Sequence, residues 1–272
     1  MKKNNSLLLS TPYVLWMLLF TLIPLGVVAV YALTDPSTNE FSLVNIRNLG
    51  MFLPTIGTSI WYALISSLIC LLLGYPVAYY IAHRTPATQK ILYMLVMLPM
   101  CMSFLLRTLA WVGLLETTGI INRLLGWLGI GPVTMIGTPG AVILGMVYNY
   151  LPYMILPLYA IIVKIDPRLI EAAEDLGCNS FHVFARVVLP LSMPGILSGI
   201  TMVFVPAVST FYISQKLGGT DTMLIGDVIE RQFKSAQNPN LGAALSLVLM
   251  ILVFVCTGIM NRFGGDEEGV VV

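Results

Sequence analysis

The sequence predicts an all-α integral membrane protein with six membrane-spanning helices. Three observations carry this. Of the 272 residues, 57% are hydrophobic and only 10% are charged, with a mean hydropathy of +0.88, whereas a soluble domain carries about a quarter charged residues. The apolar residues form long continuous runs rather than an alternating pattern, which argues for helices against a barrel. Fourteen basic and 13 acidic residues leave a net charge of +1, so no basic field exists to hold nucleic acid and no acidic field to collect cations.

A bilayer core of about 30 Å takes about 20 helical residues to cross. The first run, 12–33, follows Lys2 and Lys3 as a signal peptide would, and Val30-Tyr31-Ala32 could pass for a cleavage site. At 22 residues it exceeds the core of a signal peptide, about 7–15 residues, and reads as an uncleaved span. The remaining spans are 56–82, 91–115, 139–163, 191–213 and 241–260. This divides the chain into a first helix with its outer loop (1–55), a core with the other five spans (56–262) and a cytoplasmic tail (263–272).

With the N-terminus inside, the inner segments hold Lys2, Lys3, Arg84, Lys90, Lys164, Arg168, Arg186 and Arg262. The outer ones hold Arg47, Arg123, Lys216, Arg231 and Lys234. Eight against five favours both termini in the cytoplasm. Arg107 is the one charge well inside a span and reads mainly as structural, because an intramembrane Arg tends to be paired or to snorkel. Pro and Gly recur within the spans, at Pro24, Pro76, Pro99, Pro152, Pro157, Pro194 and Pro206 among others, where they set kinks or let helices line a pathway. Cys70, Cys101, Cys178 and Cys256 show no CxxC spacing and no nearby His, which speaks against a metal or disulfide role.

The loop at 164–190 is the most informative segment. Asp166-Pro167 is a helix start, with Asp as N-cap and Pro at the first helical position. A short helix over 168–176 follows, apolar at Leu169, Ile170, Ala172, Ala173 and Leu176 and polar at Arg168, Glu171, Glu174 and Asp175. Gly177 suits a left-handed stop, and Ser180 is placed to cap a second helix over 181–189. Such a knob could lie on lipid headgroups or dock on a partner protein.

Glu171-Ala172-Ala173, three residues, Gly177, nine residues, then Val187-x-Leu189-Pro190 resembles the EAA loop of ABC-importer permeases, with Val187 in place of Ile. The resemblance extends through Leu73-Gly74-Tyr75-Pro76, Leu151-Pro152-Tyr153 and Leu189-Pro190-Leu191-Ser192-Met193-Pro194-Gly195. Phe211-Tyr212-Ile213-Ser214 with Gly218-Gly219 looks like the B-type permeases of spermidine/putrescine transporters, although permeases for iron, thiamine or opines share several of these motifs. The resemblance implies the type I (MetI-like) permease fold in a bacterial cytoplasmic membrane. The implied partners are a sister C-type permease, a cytoplasmic ABC ATPase dimer, an extracytoplasmic polyamine-binding protein and membrane lipid, with no nucleic acid. It implies Glu171, Ala172, Ala173, Asp175 and Gly177 as ATPase-coupling positions. No GxxxxGK[ST] occurs, so ATP and Mg belong to the partner ATPase, and this chain carries no cofactor and no catalytic residue.

A polycation held tightly would need carboxylates, and none of the 13 acids lies in mid-span. The nearest are Glu116, Asp221, Asp227 and Glu230, at outer ends. The pathway candidates are therefore aromatic faces and neutral oxygens: Tyr148, Asn149 and Tyr153 in the fourth span, with Tyr150 beside them, and Phe211, Tyr212 and Gln215 after Ser209 and Thr210 in the fifth. Each aromatic is equally explained by packing or interfacial anchoring. Gln215 stands where polyamine-type relatives often carry an acid. An intramembrane protease is disfavoured, because His83 and His182 both lie at loops or their edges. A channel or secondary transporter lacks a mid-span acid or filter motif here.

Overall fold

The computed structural model describes residues 3–35, 40–219, 222–236 and 238–264. Asp221 and the tail from 265 onward lie outside them. In chain order the helices are α1 (Lys3–Ala32), α2 (Val44–Asn48), α3 (Leu53–Ala82), α4 (Pro86–Met97), α5 (Phe104–Leu115), α6 (Ile120–Trp127) and α7 (Pro139–Ile162). They continue as α8 (Pro167–Asp175), α9 (Ser180–Val183), α10 (Leu189–Leu191), α11 (Met193–Val208), α12 (Tyr212–Leu217), α13 (Ile225–Lys234) and α14 (Pro239–Gly264). Among the described residues five helices are long and apolar enough to cross a membrane. A sixth span is reached when 180–191 and α11, bent by 64°, count as one.

The contacts define two units, residues up to 54 with 228–252, and 55–227 with the chain from 253. In the first, two asparagines fasten the end of α1. Buried Asn45 donates from Nδ2 to the carbonyls of Ala32 (3.3 Å) and Thr34 (2.9 Å), and Asn240 donates to the Thr34 carbonyl at 2.7 Å. Between Tyr13 and Tyr31 most large apolar side chains of α1 are exposed, as suits a helix facing lipid.

In the second unit α7 is the central helix, with Met146, Met154 and Leu158 fully buried. α11 approaches it through Gly195 and Gly199, a small-xxx-small pair of the kind that lets membrane helices close on each other. A Cβ on Gly195 would stand 3.0 Å from the Pro157 carbonyl oxygen, and one on Gly199 would stand 2.6 Å from Met154 Sδ.

The third and fifth spans are broken, although their hydropathy reads as continuous. After α4 the chain tightens into a 3-10 turn at Leu98–Cys101 and is extended at Met102 and Ser103 before α5. Pro99 is the cause, since it has no N–H to continue the ladder. The fifth span stops at Val208 and resumes at Tyr212. Here Pro206 removes a donor, and the Ser209 hydroxyl donates to the carbonyls of Val205 (3.1 Å) and Pro206 (3.4 Å). The two breaks differ in surroundings: residues 101–103 are exposed, whereas Thr210 in the fifth-span break is buried.

Candidate coupling segment and pathway site

The coupling candidates sit on a short, well-terminated helix. Asp166 caps α8 by accepting from Arg168 N–H at 3.0 Å, with Pro167 at the first position. Gly177 has φ +85. Its N–H donates to the Glu174 carbonyl (2.8 Å), and Cys178 N–H donates to the Ala173 carbonyl (3.1 Å). That pair of bonds is the Schellman arrangement, which requires a left-handed residue at Gly177. The second helix starts one residue earlier than expected. Asn179, not Ser180, is the cap, accepting from His182 N–H at 2.9 Å. Nor is that helix uniform, because Phe184–Val188 is a π-helical turn.

No residue of α8 is buried. Glu171, Ala172, Asp175 and Gly177 are exposed and Ala173 is half-buried. Leu169, Leu176 and Phe181 are exposed, the last two at 86% and 73%, while Ile170 and Ala173 are half-buried. An amphipathic helix with its apolar side uncovered is a surface awaiting a partner or a headgroup layer. Behind it lies a cavity of about 440 Å³ between Tyr79, His83 and Ile162 on one side and Pro167, Ile170 and Glu171 on the other.

Part of the pathway set lies where α7 meets its neighbours, Asn149 toward α12 and Tyr148 toward α5. Asn149 is 1% exposed; its Nδ2 donates to the Gly145 carbonyl at 2.9 Å, while its Oδ1 has no hydrogen-bond partner among the described residues. Gly145, one turn earlier, lies under Ile213 and Leu217, which puts Asn149 on the α7 face turned to α12. Tyr148 stands edge-on to Trp111 of α5 at 5.4 Å, and Tyr153 lies 6.4 Å from Tyr150. The Tyr150 hydroxyl donates to the Pro206 carbonyl at the fifth-span break (3.3 Å). Tyr212 lies 6.2 Å from Phe104 and carries Lys216 Nζ at 5.8 Å, so its cation-binding face already has an occupant. Phe211 and Gln215 are exposed on α12 and its approach, away from the buried cluster around Asn149.

Arg107 is 5% exposed, and its Nε and Nη1 have no hydrogen-bond partner among the described residues. It is close enough to Tyr150 to act on it electrostatically. An uncompensated buried guanidinium costs several kcal/mol. Arg107→Met is therefore expected to raise the melting temperature of the purified permease, followed by Trp fluorescence. A fall would show that the guanidinium has a partner in the purified chain.

Trp111 was not among the sequence candidates, yet its spacing of four from Arg107 puts both on one face of α5. Asp227, expected in an outer loop, is buried at the start of α13, where its Oδ2 accepts from Leu224 N–H at 2.9 Å. Glu230 pairs with Lys234 at 2.6 Å, and Glu116 is exposed at the end of α5.

Long apolar helices, with a helix–glycine–helix knob displayed between the fourth and fifth spans, fit a membrane permease component. The chain belongs to the family of binding-protein-dependent transport system inner membrane components, whose model matches residues 71–264. It is a non-catalytic permease subunit of an ABC importer. It is 41% identical over 247 residues to the spermidine/putrescine transport system permease protein PotB of Haemophilus influenzae, covering 88% of this chain and 86% of that one. Against PotB of Escherichia coli the identity is 37%, over 88% and 90%. The inner membrane ABC transporter permease protein YdcU of E. coli is 31% identical over 92% and 84%. Among solved structures, a bacterial ABC transporter importing the acidic polysaccharide alginate matches with a TM-score of 0.81 at 19% identity, over 96% of both chains. The MetNI methionine ABC transporter matches at 0.59 and 16% identity, over 80% of this chain and 96% of that one. At these identities the likeness is one of fold.

Proposed function

We propose that this permease imports spermidine and putrescine, forming half of a pathway whose other half is a sister C-type permease. Residues 56–262 form the permease core, both termini are cytoplasmic, and a polyamine-binding protein delivers substrate from outside. The single observation that supports the substrate is identity of 37–41% over 88% of the chain with permeases of that description. Glu171, Ala172, Ala173, Asp175 and Gly177 dock on the cytoplasmic ATPase, which holds ATP and Mg. The uncovered apolar side of α8 supports this.

Polyamine passage past Arg107 needs neutral acceptors rather than a tight carboxylate cage. Asn149 Oδ1 is the best placed, being buried and without a partner among the described residues, and Tyr148 and Tyr153 offer aromatic faces near it. Phe211, Tyr212 and Gln215 serve at the approach. Selection then rests with the binding protein and the sister subunit. The test is uptake of radiolabelled spermidine by proteoliposomes containing the complete transporter. Uptake of iron, thiamine or an opine instead would overturn the polyamine reading. A hydrogen bond to a charged donor contributes about 1.5–3 kcal/mol, so Asn149→Leu is expected to cut spermidine uptake about tenfold or more with ATPase association unchanged. Unchanged uptake would remove Asn149 from the pathway.

A further inference from the structure

We propose that Phe184, clasped between Tyr75 and Tyr79, is the positioning residue that delivers motion of the coupling segment to α3. This rests on the coupling reading above and names the side chains through which it acts. The Phe184 ring meets Tyr75 edge-on at 5.5 Å and 87°, and Tyr79 at 6.3 Å and 82°. Tyr75 and Tyr79 are four apart and share one face of α3. His83 extends that face by a further turn, its ring 4.1 Å from Tyr79.

Two compliant points lie between the coupling helix and α11. One is the π-helical turn Phe184–Val188, and the other is the 64° bend between 180–191 and α11. Displacement of α8 and α9 could be absorbed at either. α3 holds both. Phe184 opens the π turn, and the Tyr75 hydroxyl lies 2.8 Å from Ser192 Oγ, buried at the bend. The alternative route, from α8 straight to α3, crosses the cavity of about 440 Å³ behind Ile170 and Glu171. A void transmits little force, whereas close-packed rings move together. The firm connection therefore runs through Phe184, and α3 travels with α11 rather than after it.

The test uses the complete transporter in proteoliposomes, with ATP hydrolysed per spermidine imported as the readout. Phe184→Ala is expected to keep the ATPase bound and hydrolysing while that ratio rises about tenfold, within the usual range of coupling between sites. Phe184→Trp restores the ratio by refilling the clasp. Tyr75→Phe, which deletes one oxygen and keeps the ring, raises it about twofold to threefold, a modest hydrogen-bond effect. A wild-type ratio in Phe184→Ala overturns the proposal. If that variant fails to accumulate, a wild-type ratio in Tyr75→Phe does so. ATPase retention in the same preparations reports on docking separately, and its loss in Phe184→Ala would assign Phe184 to the docking surface and overturn the clasp. If the wild-type transporter does not carry spermidine, the polyamine reading fails and the clasp is judged by spin labels on α3 and α8. ATP should change their separation in the wild type, whereas in Phe184→Ala α8 moves without α3; the same change in both overturns the clasp.

Discussion

Gly177→Asn is expected to leave the permease folded in the membrane while lowering ATPase association and uptake about tenfold or more, and Gly177→Val to abolish both. The two substitutions separate an internal cost from an external one. Internally, Gly177 has φ +85, a conformation that costs an ordinary residue about 1–2 kcal/mol and Asn less. A Cβ there meets nothing within 4 Å in this chain. Asn therefore satisfies the backbone and collides with no neighbour, so any large loss must come from a partner seated against the corner. Val fails on the backbone count, because a β-branched residue at positive φ breaks the Schellman bonds to Glu174 and Ala173. Co-purification of the ATPase, with uptake measured in parallel, reads the result. Wild-type uptake by Gly177→Asn would mean that no partner packs at this corner.

The coupling segment was legible in the sequence because its determinants are local. Asp166, Pro167 and Gly177 act on backbone within one helical turn of themselves. The one boundary error there, Ser180 for Asn179, concerns neighbouring residues that both cap well, and helix ends are ambiguous at that scale. The six apolar stretches were legible for a similar reason, since lipid selects on composition over a long window.

The interior of the unit was not legible, because its determinants come from different helices. Pro99 and Pro206 were visible as kink sites, but whether a proline bends a helix or ends it depends on what satisfies the freed carbonyls. Where α11 ends, the Pro206 carbonyl accepts from Tyr150, 56 positions away, as well as from Ser209. Hydropathy cannot register such a bond. Arg107 stood out as a mid-span charge, yet that its Nε and Nη1 are buried without a partner among the described residues is a property of packing. Asp227 looked like a solvated loop acid and is instead buried where α13 begins. That helix start is the least predictable part of the site and among the tightest.

Gly226→Ala is expected to destabilise the permease by about 1–3 kcal/mol or more, the cost of overpacking a tight site, and to abolish uptake. A Cβ on Gly226 would overlap the Thr210 carbonyl oxygen and stand 2.8 Å from the Ser209 carbonyl oxygen. Both obstacles are backbone, so no rotamer change relieves them. They also belong to the fifth-span break, which follows the Pro206 carbonyl that accepts from Tyr150. The start of α13 is held in place, because Ile225 N–H donates to Ser59 Oγ of α3 at 2.8 Å. The added methyl must therefore displace the break itself, and stability and transport should fall together. Thermal unfolding of the purified permease and spermidine uptake by the reconstituted transporter check this. Ser59→Ala tests the restraint: by releasing Ile225 it should let α13 shift and restore part of the uptake lost in Gly226→Ala. If Gly226→Ala instead melts like the wild type, α13 does not start against the break, and Ser209 and Thr210 are free to move during transport.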